Sequence, residues 1–157
     1  MNTYRINRLQ ILPISIETAW DFFSNPLNLS AITPPWLNFR VTSSVAGRMY
    51  PGMIITYQLT PVAGFPVNWV SEITHVREPM FFVDEQRIGP YRFWHHQHVF
   101  TPIDVGVEMT DIVHYQLPLG PVGRVFHNAL VRKKLEAIFD YRRKVLRQLF
   151  GKETAGK

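Results

Sequence analysis

The chain has no cysteine among its 157 residues. That absence excludes a disulfide scaffold, a thiolate metal site, a cysteine nucleophile and redox chemistry on sulfur, and it fits a reducing compartment. No stretch approaches the roughly 18 to 20 consecutive apolar residues of a membrane helix. The opening residues Met1 to Arg8 lack the charged patch and apolar run of a secretory leader, so a soluble, cytoplasmic protein is expected. No glycine-rich phosphate loop, no Gly-x-Ser-x-Gly elbow and no His-Glu-x-x-His helix occurs, and no cofactor or resident metal is expected.

What is present is apolar and aromatic. Apolar residues make up 46% of the chain and aromatic residues 13%, enough for one core with rings left over to line a pocket. The length suits a single domain over residues 1–150, with residues 151–157 expected as a disordered tail. The net charge of +5 is uneven. Residues 122–152 hold nine Lys or Arg against Glu136 and Asp140, a net +7, so the remainder carries about −2. This basic stripe reads first as a solvated helix face, with cations towards its C-terminal end. Contact with an anionic membrane or nucleic acid is the alternative, nucleic acid being the less expected partner.

Hydrophobic spacing divides the chain into elements. Tyr4 to Leu12 alternates as a strand. Ser15 caps a helix whose face is Ile16, Ala19, Trp20 and Phe23; Asn25-Pro26 stops it, and Leu27 to Ile32 can form a second short helix. Thr33-Pro34-Pro35-Trp36 is expected to run extended. Period two then holds through six strands: Asn38 to Val45, Met53 to Thr60, Val67 to Val76, Met80 to Ile88, Tyr91 to Pro102 and Val105 to Leu117. Turn-like breaks such as Gly89-Pro90 join them as an antiparallel meander. From Val122 to Phe150 the period returns to helical, marked by Val131, Leu135, Ile138, Val145 and Leu149. That span is roughly 40 Å at 1.5 Å per residue, so a sheet must wrap it.

This order of elements resembles the α+β helix-grip fold of the SRPBCC superfamily, which includes START domains, birch-pollen allergens and polyketide cyclase-like proteins. Within it the chain resembles the small bacterial ligand-binding proteins. The likeness is carried by Trp20-Asp21-Phe22-Phe23-Ser24-Asn25-Pro26, by Leu29 to Pro35, and by Asp84 to His98, and it extends over residues 3–150. It implies a curved antiparallel sheet of about seven strands around the last helix, and a cavity for a small hydrophobic molecule. It implies no single reaction.

Strand alternation selects the inward residues. They are Val67, Trp69, Ser71 and Ile73; Phe82, Asp84, Gln86 and Ile88; Trp94, His96, His98 and Phe100; and Val107, Met109, Asp111, Val113 and Tyr115. Trp69, Phe82, Trp94, Met109, Tyr115 and Ile138 are then candidates for an apolar wall. Asp84, Gln86, His96, His98 and Asp111 would bond one another or a ligand's polar end, because inward polar groups are costly unless satisfied. Three readings of the histidines stand. They can be core histidines held by carboxylates; His96 or His98, with Asp111, can serve as a general acid or base; or His96, His98 and Asp111 can ligate a metal. Carriage of a lipid, quinone, polyketide or aromatic metabolite leads. A cyclase, dehydratase or hydrolase is the alternative, and an RNA-, ribosome- or membrane-associated module comes third. The oligomeric state is not legible.

Overall fold

The computed structural model describes residues 2–44, 48–62, 64–118 and 130–151, with Val62 by backbone alone. Strand β1 (Tyr4–Leu12) leads into helix α1 (Ile16–Phe23). Ser15 Oγ accepts from the Thr18 amide at 3.2 Å and so satisfies one of the first-turn donors. The expected second helix is a short 3-10 segment, Pro26–Ser30, capped by Asn25. Thr33 to Trp36 is not extended throughout: Pro35–Leu37 forms one 3-10 turn, with proline at the first position where no amide donor is needed. Asn38, at φ 45°, ends that turn in the left-handed region that asparagine tolerates. This bend leaves β2 only two residues long (Arg40–Val41); Val45 of the expected strand lies outside the described residues.

Strands β3 (Met53–Val62), β4 (Phe65–Arg77), β5 (Phe81–Ile88), β6 (Phe93–Ile103) and β7 (Gly106–Gln116) complete a seven-stranded antiparallel sheet of order β1-β7-β6-β5-β4-β3-β2. Helix α2 (Arg132–Phe150) closes it; the expected start near Val122 falls outside the described residues. Its 19 residues extend about 28 Å. The buried stripe is Leu135, Phe139, Arg142 and Leu146, whereas Leu149 is exposed.

Two apolar clusters fill the space between sheet and helices. One gathers Trp20, Phe82, Phe100, Met109 and Leu146; the other gathers Ile6, Trp94, Val113, Tyr115, Leu135 and Phe139. Reading along β6, Phe100 belongs to the first and Trp94 to the second. His98 and His96 lie between them. The same holds on β7, where Asp111 separates Met109 from Val113, and on α2, where Arg142 separates Leu146 from Phe139. A single polar layer therefore crosses the core.

Candidate functional site: a polar layer under an apolar cavity

Register builds the layer. Asp84 stands opposite His96 in the β5–β6 pair, and His98 stands opposite Asp111 in the β6–β7 pair. His96 Nε2 lies 3.0 Å from Asp111 Oδ1, and its Nδ1 lies 3.4 Å from Asp84 Oδ2. His98 Nε2 lies 3.0 Å from Asp84 Oδ2; its Nδ1 lies 3.0 Å from Asp111 Oδ1 but out of hydrogen-bond alignment. Each imidazole thus meets both carboxylates. Arg142 approaches Asp111 Oδ2 from the helix at 3.9 Å and covers the Phe139 ring at 5.2 Å. The His98 ring stacks on Phe82 with centroids 4.1 Å apart.

Burial opposes charge at all four titrating groups, and its balance against the partners differs from group to group. At Asp84 and Asp111 burial pushes the carboxyl up. Hydrogen bonds from the imidazoles, with the surrounding positive charge, outweigh it and hold both below the usual carboxylate range. Burial also disfavours the imidazolium at His98, but its two carboxylate neighbours overcome this and raise it. At His96 burial and the adjacent His98 charge win, so it is lowered. The layer therefore sets two carboxylates against two imidazoles, of which His98 is the one whose charged form is favoured.

Above this layer lies a cavity of about 240 Å³. Ile55, Leu59, Ile73, Leu135, Ile138 and Phe139 give it apolar walls, and Trp69, Tyr91 and Trp94 form an aromatic corner with centroids 4.8 to 5.6 Å apart. Trp69 Nε1 donates to Ser71 Oγ at 3.0 Å, so its indole donor is satisfied inside the sheet. Trp36 lines the cavity while half-exposed, which places it at the mouth; Lys134 lies over its ring at 5.4 Å and donates to the Pro61 carbonyl. Phe65, on the β3–β4 hairpin, is exposed, and Ala63 beside it lies outside the described residues.

The expected site residues separate into three groups. Trp69, Phe82, Asp84, Trp94, His96, His98 and Ile138 all line the cavity. Asp111 is in the polar layer but behind the histidines, facing a crevice beside Arg8 and Arg142. Met109 and Tyr115 are core residues, and Gln86 and Ile88 do not reach the cavity. Gln86 instead clamps the hairpin after β5, with Nε2 donating to the Tyr91 carbonyl at 2.6 Å. A Cβ at Gly89 would meet the Gln86 side chain, so any other residue there would have to displace this clamp. Ile88 is turned out because the register steps from Ser71–Gln86 to Val70–Ile88, and the bulge at Arg87 reverses the alternation. Sequence reasoning missed Arg142, hidden in a basic stripe. The signal was its place at helical spacing between Phe139 and Leu146, opposite an inward aspartate.

Comparison with solved structures settles the architecture. Protein CV1439 from Chromobacterium violaceum superimposes with a TM-score of 0.71 over 97% of this chain and 99% of its own, at 14% identity. A START superfamily protein from Mycobacterium smegmatis gives 0.66 over 92% and 98%, at 13% identity. Ara h 8.0201 gives 0.64 over 92% and 98%, at 12% identity. The chain has the helix-grip fold. At these identities the likeness is one of fold. No protein-family model matches the sequence, and no curated protein matches it. In this helix-grip chain no described helix is long and apolar enough to cross a membrane.

Proposed function

We propose that the chain binds and carries a small hydrophobic molecule in the cavity between sheet and α2, with the molecule's polar end against Asp84, His96 and His98. The observation that carries this reading is an apolar cavity whose floor is a layer of paired carboxylates and imidazoles. Its volume, about 240 Å³, sits just under the roughly 300–1,000 Å³ of ordinary small-molecule sites, which favours a compact ligand. The aromatic corner favours a flat one, such as a quinone or aromatic polyketide, over a long acyl chain. Each 100 Å² of apolar surface buried contributes about 2.5 kcal/mol before the costs of association.

Titration with an environment-sensitive apolar dye tests the reading. Saturable binding is expected, and Leu59→Trp, which fills the cavity from β3, should abolish it while the protein still melts cooperatively. Dye binding unchanged in that variant would place the apolar site elsewhere.

Acid–base catalysis is the second reading, favoured by one observation: Asp84 Oδ2 meets both imidazoles at the cavity surface. It predicts turnover of an enolisable carbonyl compound that His98→Gln eliminates. The basic-helix module has less support. Arg142 is buried, Lys134 turns to Trp36 and Pro61, and Arg132 pairs with Glu136, so among the described residues the outward stripe shrinks to Lys133, Arg143, Lys144 and Arg147.

A further inference from the structure

We propose that Asp84, His96 and His98 form a site for one divalent transition-metal ion, with Asp111 as the carboxylate that both imidazoles share on their far side. This goes beyond the carrier reading and does not depend on it.

The donors are placed by the sheet. His96 and His98 project from the same face of β6, and Asp84 is the direct cross-strand partner of His96. Asp84 Oδ2 lies 3.4 Å from His96 Nδ1 and 3.0 Å from His98 Nε2, and one ligand atom from each residue falls within 4.8 Å of the others. A tetrahedral zinc ion with bonds of about 2.0–2.1 Å holds its ligand atoms about 3.3 Å apart. The two separations bracket that edge.

The remaining ring nitrogens supply an independent observation. His96 would ligate through Nδ1 and His98 through Nε2; the nitrogens left over, His96 Nε2 and His98 Nδ1, each lie 3.0 Å from Asp111 Oδ1. Metal-ligating histidines characteristically hand their second N–H to a carboxylate, which fixes the tautomer and raises ligand basicity. Asp111 does this for His96, whose Nε2 is hydrogen-bonded to it, and lies 3.0 Å from His98 Nδ1 out of alignment; Arg142 approaches it from the helix. With His98 Nδ1 turned to Asp111, Nε2 is the ring nitrogen left beside Asp84.

Asp84, His96 and His98 line the cavity and Asp111 does not, so a further coordination position would face the cavity. Three protein ligands and one open position is the arrangement of metal sites that bind or activate a substrate oxygen. Two imidazoles and a carboxylate, with no thiolate, suit zinc, cobalt or ferrous iron better than magnesium or calcium.

Calorimetric titration of chelator-dialysed protein with Zn²⁺ tests the site, and the visible absorption of Co²⁺ reports its geometry. One equivalent is expected, with a four-coordinate cobalt spectrum. His98→Ala and Asp84→Asn should each weaken binding by at least about a hundredfold, and Asp111→Asn by about ten- to a hundredfold. Replacing His95 and His114 together, which are neighbours on the outer face of the sheet, should leave it unchanged. Melting curves establish that each variant is folded, and Asp84→Asn, close in shape to the native residue, serves if His98→Ala is not. No saturable binding by the native chain, binding retained in both site variants, or binding lost in the outer-face variant would each overturn the proposal.

Discussion

Asp111 is the residue on which the interior most depends, because it is buried and meets His96, His98 and Arg142. Replacing it by asparagine leaves the buried Arg142 without its paired carboxylate and His98 with Asp84 alone, in a medium that solvates charge poorly. Breaking a buried pair in this way costs about 3–5 kcal/mol. Chemical denaturation should show a loss of that size for Asp111→Asn. The pH profile follows from the same contacts. His98 is raised on folding, so its stabilisation is complete below its unfolded pKa near 6.5 and is lost as pH rises through the folded value. Asp84 and Asp111 are lowered, so theirs is complete above about 4 and is lost as pH falls towards their folded values. Melting temperature, measured with chelator present, should fall on both sides, and His98→Gln should flatten the alkaline side. At this scale the sequence was legible where alternation was unbroken. It placed His96, His98 and Asp111 on one inward face, and pairing then joined them to Asp84. Arg142 was overlooked because, on a helix rich in lysine and arginine, only its spacing from Phe139 and Leu146 and the aspartate across from it set it apart from its neighbours.

At the scale of elements, turns decide where side chains go. Strands β6 and β7 keep strict alternation over their inner stretches, and there parity alone identified the buried set. Strand β5 is interrupted at Arg87, so Ile88 points outward and Gln86 is diverted to the hairpin. A bulge inserts one residue without any hydrophobic signature, which is why pattern reading failed at that end of the cavity. Gly106, the first residue of β7, is a position fixed by its backbone. At φ 134° a side chain there would be strained, and its Cβ would stand 2.1 Å from the Leu12 carbonyl oxygen on β1. Gly106→Ala should therefore destabilise by about 1–3 kcal/mol or more, read from the denaturation midpoint. Proline and asparagine had a comparable effect after α1: Pro35 and Asn38 bend the chain into a short turn that brings Trp36 to the mouth and leaves β2 brief.

For the molecule as a whole, the order of strand, short helices, six strands and helix was enough to indicate a sheet gripping a helix, and the seven-stranded meander closed by α2 has that form. What composition could not indicate is that apolar surplus would be distributed as two clusters with a polar layer between them and an open volume above. The surface charge is separable from that interior. Reversing Arg143, Lys144 and Arg147 should leave dye affinity within about twofold of the native chain, since none of the three lines the cavity. The proposed function requires the cavity to hold a small apolar molecule. Native mass spectrometry of freshly purified protein, paired with analysis of its organic-solvent extract, tests it most directly. A discrete added mass that is lost on denaturation and recovered as one apolar compound is the predicted result. A bare chain mass with an empty extract, from protein that also fails to bind apolar dye, would contradict it.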